Sequence, residues 1–202
     1  MRLLCFSDVH ADVAAIQSIV SRAAHADLLI GAGDFATLRR RLDTAISLLR
    51  QAPVPAILVP GNHESYEELV EACRRWPAAH VLHGSAVEIA GIPFFGLGGG
   101  VPITPFGAWS WDLTEDQAAA LLAPCPPGCV LVSHSPPRGI LDGSSQGRSL
   151  GSTAVLQAIR CKHPRLVVCG HIHEDAGGVV ESGGTTVINA GPAGVEWHLD
   201  IP

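Results

Sequence analysis

The strongest constraint on the fold is the regular alternation of short apolar runs and amphipathic segments in the first third of the chain. Apolar runs occupy residues 2–7, 27–31 and 55–60, with lengths typical of buried strands. Between them lie a helical pattern that begins after Asp12, a residue suited to capping a helix, and a second one over residues 42–49. The order β-α-β-α-β predicts an α/β protein.

The rest of the chain extends this pattern and adds an antiparallel element. Residues 86–90 and 92–98 are two apolar runs separated by Gly91, which indicates a hairpin or a tight turn. The chain then alternates again, with strands predicted at 128–134 and 165–171, a helix at 153–161 and terminal strands at 178–182, 185–190 and 195–199. The sequence predicts an α/β sandwich of two mixed β-sheets with flanking helices, in a single domain over residues 1–202.

The composition of the chain argues against nucleic acid and membranes as binding partners. With 202 residues, of which 47% are hydrophobic and 16% charged, the chain can bury a large core without disulfides. A net charge of −6 leaves no basic surface, so long nucleic acid is not an expected partner. No apolar stretch approaches the roughly 20 residues of a membrane span, and six scattered cysteines suit a reducing compartment. We therefore expect a soluble cytoplasmic protein without membrane contact.

Cys125 and Cys129 lie four positions apart and have two interpretations. They form a redox or metal element or, as we prefer, they are two incidental cysteines of a loop.

Polar residues follow the ends of five apolar runs. In open α/β sheets ligands bind in the crevice at the carboxyl ends of the strands, so these residues are expected to converge there. They are Asp8 and His10 after the first run, Asp34 after the second, Asn62, His63 and Glu64 after the third, His134 after the fourth, and His171 and His173 after the fifth.

The chemistry of this set indicates a metal site. Imidazole nitrogens and carboxylate oxygens suit transition metals such as Mn, Fe, Zn, Ni or Co, whereas calcium sites use oxygen almost alone. One histidine after a strand is more often a hydrogen-bonded loop residue than a ligand. Five independent clusters would each place polar groups beside the core without a partner, which is costly. The set is large enough for two divalent ions, and we favour manganese.

Together these strings resemble the calcineurin-like metallophosphoesterase superfamily. The resemblance rests on Asp8-x-His10, Gly33-Asp34, Gly61-Asn62-His63-Glu64, His134 and Gly170-His171-x-His173, and it spans residues 8–173. It implies a four-layer α/β/β/α sandwich, a dinuclear metal centre and hydrolysis of a phosphate ester. The family pattern would make Asp8, His10 and His173 ligands of one ion and Asn62, His134 and His171 ligands of the other, with Asp34 bridging both.

The same resemblance implies a mechanism. A hydroxide that bridges the metals would attack the phosphorus in line, and His63 would protonate the leaving oxygen. The simpler interpretation of His63 is a structural or surface histidine. Two divalent ions, Asp8, Asp34 and one hydroxide together leave about one positive charge, which would attract an anionic phosphate.

One departure from the superfamily pattern argues against one subclass, the serine/threonine protein phosphatases. The serine/threonine protein phosphatases carry an acidic residue three positions after the bridging aspartate and then an arginine. Here Asp34 is followed by Phe-Ala-Thr-Leu, which argues against a protein phosphatase. The residue that orients His63 is therefore unidentified, and Glu64 or a residue of another loop are the candidates.

Three longer strings, at 104–113, 133–143 and 170–190, resemble the brain 239-type metallophosphodiesterase branch. This implies a small phosphodiester or nucleotide-like substrate, including cyclic nucleotides. Phe106, Trp109 and Trp111 are predicted either to stack on a base or to cover the sheet edge as ordinary core. Arg138 either contacts phosphate or, as we slightly prefer, is a solvated loop charge.

The leading hypothesis is thus a metal-dependent phosphodiesterase. Within enzymes, the alternatives are a phosphomonoesterase and a nuclease for short single strands. A metal-binding scaffold that has lost hydrolysis is the alternative from another class. The complete ligand set and the presence of His63 argue against the scaffold.

Overall fold

Two mixed β-sheets form the centre of the protein, as a computed structural model describes it over residues 1–200. From edge to edge, the first sheet contains β11 (Val195–His198), β1 (Arg2–Phe6), β2 (Leu28–Gly31), β3 (Ala56–Leu58) and β4 (Ala79–Val81). The second contains β5 (Ser85–Ile89), β6 (Ile92–Leu97), β7 (Val130–Ser133), β8 (Leu166–Cys169), β10 (Thr185–Asn189) and β9 (Val179–Ser182). The pairs β1–β11, β5–β6 and β9–β10 are antiparallel and the other pairs are parallel.

Helices cover the outer face of each sheet, which confirms the predicted four layers. The first sheet carries α1 (Val13–Ala23), α2 (Leu42–Leu49) and α3 (Tyr66–Cys73), and the second carries α4 (Glu115–Leu122) and α5 (Thr153–Lys162). In β1, Leu4 and Phe6 pack against the helices, whereas Leu3 and Cys5 pack against the other sheet. Alternate side chains of a strand point to opposite faces, so an apolar run without polar interruption can fill both layers.

The sequence interpretation missed α3, α4 and β4. Both helices begin with a capping box, in which a hydroxyl and a glutamate or glutamine three residues later satisfy each other's backbone N–H groups. Ser65 and Glu68 form this motif in α3, and Thr114 and Gln117 form it in α4. The predicted Asp12 cap of α1 is confirmed.

Parallel pairing brings the carboxyl ends of neighbouring strands to one edge of each sheet. Phe6 lies beside Gly31 and Gly31 beside Leu58, so β1, β2 and β3 end at the same level. The strands β7 and β8 are likewise parallel neighbours in the second sheet. The polar residues that follow these five strands can therefore meet.

The prediction of a single domain over residues 1–202 includes residues 201 and 202, which lie outside the described part, and it stays a prediction. Within residues 1–200 one apolar layer is shared by both sheets. None of the helices in that range is long and apolar enough to cross a membrane.

Candidate metal centre

The side chains after β1, β2, β3, β7 and β8 meet in one group, which we call the ligand cluster: Asp8, His10, Asp34, Asn62, His134, His171 and His173. The Nε2 atoms of His10 and His173 are 3.3 Å apart. His134 Nε2 lies 3.2 Å from Asn62 Oδ1 and 3.5 Å from Asp34 Oδ1. The structure thus brings together all the residues that the sequence predicted as ligands.

The ligand cluster and His63 contain three overlapping groups of candidate ligand atoms, and within each group the atoms lie within 4.8 Å of one another. They are Asp8, His10 and His173; His10, Asp34 and His63; and Asp34, His134 and His171. The Asp34 carboxylate stands between the first and the last group, because Oδ1 lies 3.5 Å from His134 Nε2 and Oδ2 lies 3.8 Å from His10 Nε2. The resemblance implied these two groups as ligands of separate ions, and it did not imply the middle group with His63.

Four residues of the ligand cluster adopt left-handed backbone conformations. The φ angles are +54° at Asp8, +44° at His10, +56° at Asp34 and +68° at His171. A non-glycine residue in this region costs about 1 kcal/mol or more, and such residues concentrate at functional sites. The surrounding structure must hold these conformations, which the sequence pattern alone did not reveal.

Two glycines allow the loops after β2 and β3 to touch. A Cβ atom at Gly61 would overlap the carboxylate and the backbone nitrogen of Asp34. A Cβ atom at Gly33 would lie 2.6 Å from Nδ1 of His134, and its φ of +94° is one that glycine adopts without strain. The glycines before Asp34 and Asn62 are therefore steric requirements of the cluster.

Backbone carbonyls fix the orientation of two imidazoles. Nδ1 of His10 donates to the carbonyl of Ala36 over 3.1 Å, and Nδ1 of His134 donates to that of Ala32 over 2.8 Å. The lone pair of each ring is then on Nε2, which faces the cluster, as in histidines that bind metals. Burial lowers the pKa of both imidazoles, which keeps these lone pairs free.

The imidazole of His63 carries its proton on the other nitrogen from those of His10 and His134. The backbone N–H of Leu38 donates to its Nδ1 over 2.9 Å, so the proton of the neutral ring is on Nε2. That Nε2 lies 3.7 Å from Asp34 Oδ2. Burial, followed by the nearby imidazoles of His10 and His134, lowers the pKa of His63 to about 4. His63 therefore presents an N–H group to the cluster, whereas His10 and His134 present lone pairs.

Glu64 does not orient His63, so that interpretation is wrong. Its buried carboxylate accepts the backbone N–H groups of Phe35, Ala36 and Gly61, at 3.2, 2.9 and 2.8 Å. It thereby joins the loops after β2 and β3. Burial raises its pKa to about 7 despite these bonds. The group that orients His63 belongs to a residue of another loop, which was the alternative. It is the main-chain N–H of Leu38, and it stands where the protein phosphatases have an acidic side chain.

Negative charge is concentrated in the site. Asp8, Asp34 and Glu64 are all buried, and among residues 1–200 no lysine or arginine forms an ion pair with any of them. Burial, then the charges of Glu64 and Asp8, raise the pKa of Asp34 well above its ordinary value. Burial also acts to raise the pKa of Asp8, but His173 and the Ser7 hydroxyl outweigh it and bring the pKa to about 2. The donor set fits bound cations, since neutral lone pairs and buried carboxylates face one another.

Asn62 is oriented by a residue that the sequence analysis missed. Its Nδ2 donates to Ser110 Oγ over 2.9 Å, and Ser110 Oγ donates to Asp112 Oδ1 over 2.8 Å. The amide oxygen of Asn62 consequently points to His134 and into the cluster. The one sequence signal was the serine between two tryptophans in the string WSWD.

Comparison with known proteins identifies the family. The family model described as calcineurin-like phosphoesterase matches residues 1–175, most of the chain. The chain belongs to the calcineurin-like phosphoesterase family.

Curated relatives of this phosphoesterase include the metallophosphoesterase domain-containing protein 1 of Homo sapiens and of Mus musculus. Each is 31% identical over 164 residues, which cover 74% of this chain and 46% of the relative. The chain therefore spans about half the length of these relatives.

Solved structures share the calcineurin-like phosphoesterase fold. The protein TT1561 of Thermus thermophilus has a TM-score of 0.75 at 19% identity, covering 95% of this chain and 90% of that one. Phosphopantetheinyl hydrolase of Mycobacterium tuberculosis has a TM-score of 0.63 at 18% identity, covering 94% and 88%. A dimetal phosphatase of Danio rerio has a TM-score of 0.61 at 15% identity, covering 94% and 86%. At these identities the similarity shows the fold alone.

A cavity of about 800 Å³ opens above the ligand cluster of this phosphoesterase. Phe106 lines it and stacks on Trp109, with ring centroids 5.6 Å apart and an interplanar angle of 17°. Trp109 meets the ring of His63 edge-on at 4.7 Å. Neither Trp109 nor Trp111 is among the residues that line the cavity. Trp111 packs against His83, with ring centroids 5.0 Å apart, which favours its interpretation as ordinary packing.

Arg138 is another predicted substrate residue that does not line the cavity. It is exposed and lines a separate hollow with Arg160 and His163, so the solvated loop charge is the better interpretation. Arg148 lines the cavity above the cluster instead. Both arginines lie in irregular loops, where sequence spacing does not determine which way the chain turns.

Proposed function

We propose that the protein is a dinuclear metal-dependent phosphodiesterase that acts on a small, nucleotide-like or cyclic phosphodiester. Asp8, His10 and His173 would hold one ion, Asn62, His134 and His171 the other, and Asp34 would bridge them. The observation that carries the proposal is the position of Asp34, with one carboxylate oxygen towards each group of inward-facing donors. The nitrogen and oxygen donors accept Mn, Fe, Zn, Ni or Co, and we favour manganese.

Bound divalent ions would lower the pKa of water and stabilise charge on the phosphoryl oxygens. The protein's own contribution is to orient the donors. Ala32 and Ala36 direct the lone pairs of His134 and His10 inward, and Ser110 directs the amide oxygen of Asn62. Because the fold and these bonds fix the donors in advance, little reorganisation accompanies the reaction.

His63 is the proposed catalytic residue outside the ligand set. Its Nε2–H faces the cavity, and the Leu38 amide holds the ring in that orientation. From this orientation Nε2–H can donate a hydrogen bond to the leaving oxygen and stabilise the charge that develops as the ester bond breaks. Transfer of the proton itself requires the imidazolium form of His63, in which Nδ1 is protonated and no longer accepts the N–H of Leu38.

The substrate class is supported by the aromatic pair beside His63. Phe106 lines the cavity and offers a flat apolar surface there, and Trp109, which does not line the cavity itself, stacks on the Phe106 ring and supports it. A flat apolar surface suits a base or another planar ester group.

The test compares bis-p-nitrophenyl phosphate with p-nitrophenyl phosphate after metal stripping and addition of Mn, Ni, Co, Zn or Mg. We expect metal-dependent turnover with kcat/KM at least about tenfold higher for the diester. A preference for the monoester would indicate a phosphomonoesterase. No turnover of either ester with any of the metals would indicate a metal-binding scaffold that does not hydrolyse esters.

Ser110→Ala should weaken the second metal site. Without the hydroxyl, the amide of Asn62 loses the bond that turns its oxygen inward, and loss of such an outer partner costs about 10–100-fold in metal affinity. Calorimetric titration of the metal-free protein with Mn²⁺ measures the affinity of each of the two sites, and only the affinity of the site with Asn62 should fall. Ser110→Thr keeps the hydroxyl and is expected to retain affinity. Equal affinity in the alanine variant and the original protein would contradict the role of Ser110.

The cytoplasmic location stays a prediction. The free thiols of Cys125 and Cys129, 3.4 Å apart, would suit a reducing compartment.

A further inference from the structure

Three large apolar side chains remain exposed around the cavity. Ile103 is 62% exposed, Phe106 51% and Leu150 41%, and all three line the space above the ligand cluster. Ile103 and Phe106 come from the loop after β6, whereas Leu150 comes from the loop before α5. Exposed apolar side chains that are grouped in a concave site indicate contact with an apolar ligand, because such contact removes their surface from water.

Arg148 extends from the same loop as Leu150. Its backbone is fixed by a tight turn, in which the N–H of Ser144 donates to the Arg148 carbonyl over 2.8 Å and the N–H of Arg148 donates to Ser144 Oγ over 3.1 Å. Within residues 1–200 no carboxylate lies within ion-pair distance of its guanidinium. The nearby Glu174 lines the cavity too, but its carboxylate accepts the N–H of Ser145 over 3.1 Å.

The small net positive charge of the site indicates a role for Arg148 in binding an anionic phosphate. Two divalent ions, Asp8, Asp34 and a hydroxide would leave only about one positive charge, and Glu64 adds a third buried carboxyl group to the site. Arg148 is the one lysine or arginine among the described residues that line the cavity, so it supplies the positive charge that an anionic phosphate meets.

We propose that Ile103, Phe106, Leu150 and Arg148 form the subsite for the ester group that stays on the phosphorus. Arg148 contacts a non-bridging phosphate oxygen, and an uncharged apolar or planar group rests against the other three side chains. This inference rests on the proposed function and narrows it: the preferred substrate is a phosphodiester with an apolar second ester group, in contrast to one with a small or charged group.

The first test uses two substrates with the same leaving group, benzyl p-nitrophenyl phosphate and methyl p-nitrophenyl phosphate. Both retained groups are alkyl, so the phosphorus is similarly reactive in each. We expect kcat/KM to be roughly tenfold or more higher for the benzyl ester. In the double variant Ile103→Asn, Leu150→Asn this ratio should fall towards one, because the rate on the benzyl ester should fall much more than the rate on the methyl ester.

Arg148→Gln should lower kcat/KM on both esters by about tenfold or more, because both carry the same phosphate charge. Val179→Asn, which alters an exposed apolar residue of β9, and Arg160→Gln, which alters an exposed arginine outside the cavity, are the matched controls. Both should leave the ratio and the rates unchanged. An original protein that hydrolyses both esters equally well would overturn the inference and leave the proposed function standing.

A binding measurement separates the two proposals if neither ester is hydrolysed. Benzylphosphonate and methylphosphonate are titrated into the manganese-loaded protein, and a preference for the benzyl compound of about fivefold or more that disappears in the double variant supports the subsite. Equal binding of the two phosphonates, or no binding of either, overturns it whatever the activity.

Discussion

Replacing Asp34 with asparagine is expected to abolish turnover of phosphodiesters while leaving the metal-free protein at least as stable as the original. The two oxygens of Asp34 face the two halves of the ligand cluster, at 3.5 Å from His134 Nε2 and 3.8 Å from His10 Nε2. An amide offers one weak oxygen donor in place of two charged ones. We expect kcat/KM to fall by about a thousandfold or more.

The stability of the Asp34→Asn variant should change in opposite directions with and without metal. In the metal-free protein the buried carboxylate lies among the charges of Glu64 and Asp8, and a neutral amide relieves that repulsion. The amide oxygen can still accept the N–H of His63, which now bonds Asp34 Oδ1 over 2.9 Å. Thermal unfolding in chelator should show an equal or higher midpoint, by about 2–4 °C for each kcal/mol of repulsion removed.

Added manganese should raise the unfolding midpoint of the original protein far more than that of the variant, because ligands of the folded state stabilise it. Asp27→Asn is the control, since Asp27 is exposed on the surface beside Arg2. A variant with a lower midpoint in chelator, and with the same rise on adding manganese as the original, would contradict the bridging role.

His63→Ala is expected to retain metal affinity and lose activity in proportion to the basicity of the leaving group. A general acid contributes about 10²–10⁴-fold, and most of this contribution concerns leaving groups that need the proton. Turnover of an alkyl phosphodiester should fall by that factor, whereas turnover of bis-p-nitrophenyl phosphate should fall much less. Calorimetry with Mn²⁺ on the same variant completes the measurement.

The exposed His25 provides the control for this experiment, as His25→Ala should change neither quantity. Equal losses on both esters would contradict the proton donor. A large loss of manganese affinity would instead make His63 a ligand, in the group that it forms with His10 and Asp34.

Much of the site was predictable because its residues follow the ends of parallel strands. Asp8 and His171 are 163 positions apart in the chain, yet the N–H of His171 donates to Asp8 Oδ2 over 3.0 Å. Five strand ends with polar residues sufficed to predict this convergence. The capping boxes of α3 and α4 could also be recognised in the sequence. Ser65 lies three positions before Glu68 and Thr114 three positions before Gln117, and this pattern predicts the start of each helix.

Other features were beyond the sequence for physical reasons. The group that orients His63 is the main-chain N–H of Leu38, and a backbone donor leaves no residue type to recognise. The left-handed φ of +48° at Leu38 likewise has no sequence signature in a non-glycine residue. The sequence analysis named Arg138 and did not consider Arg148, because the path of the two irregular loops decides which arginine lines the cavity.

The central claim, that hydrolysis depends on two ions held by one cluster, is tested most directly by titrating manganese into the chelator-stripped protein. Bound metal and the rate on bis-p-nitrophenyl phosphate are measured at each point. The account predicts no turnover without metal and a rate that reaches its maximum at about two ions per chain. A rate that is complete at one ion per chain, or that persists without metal, would contradict it.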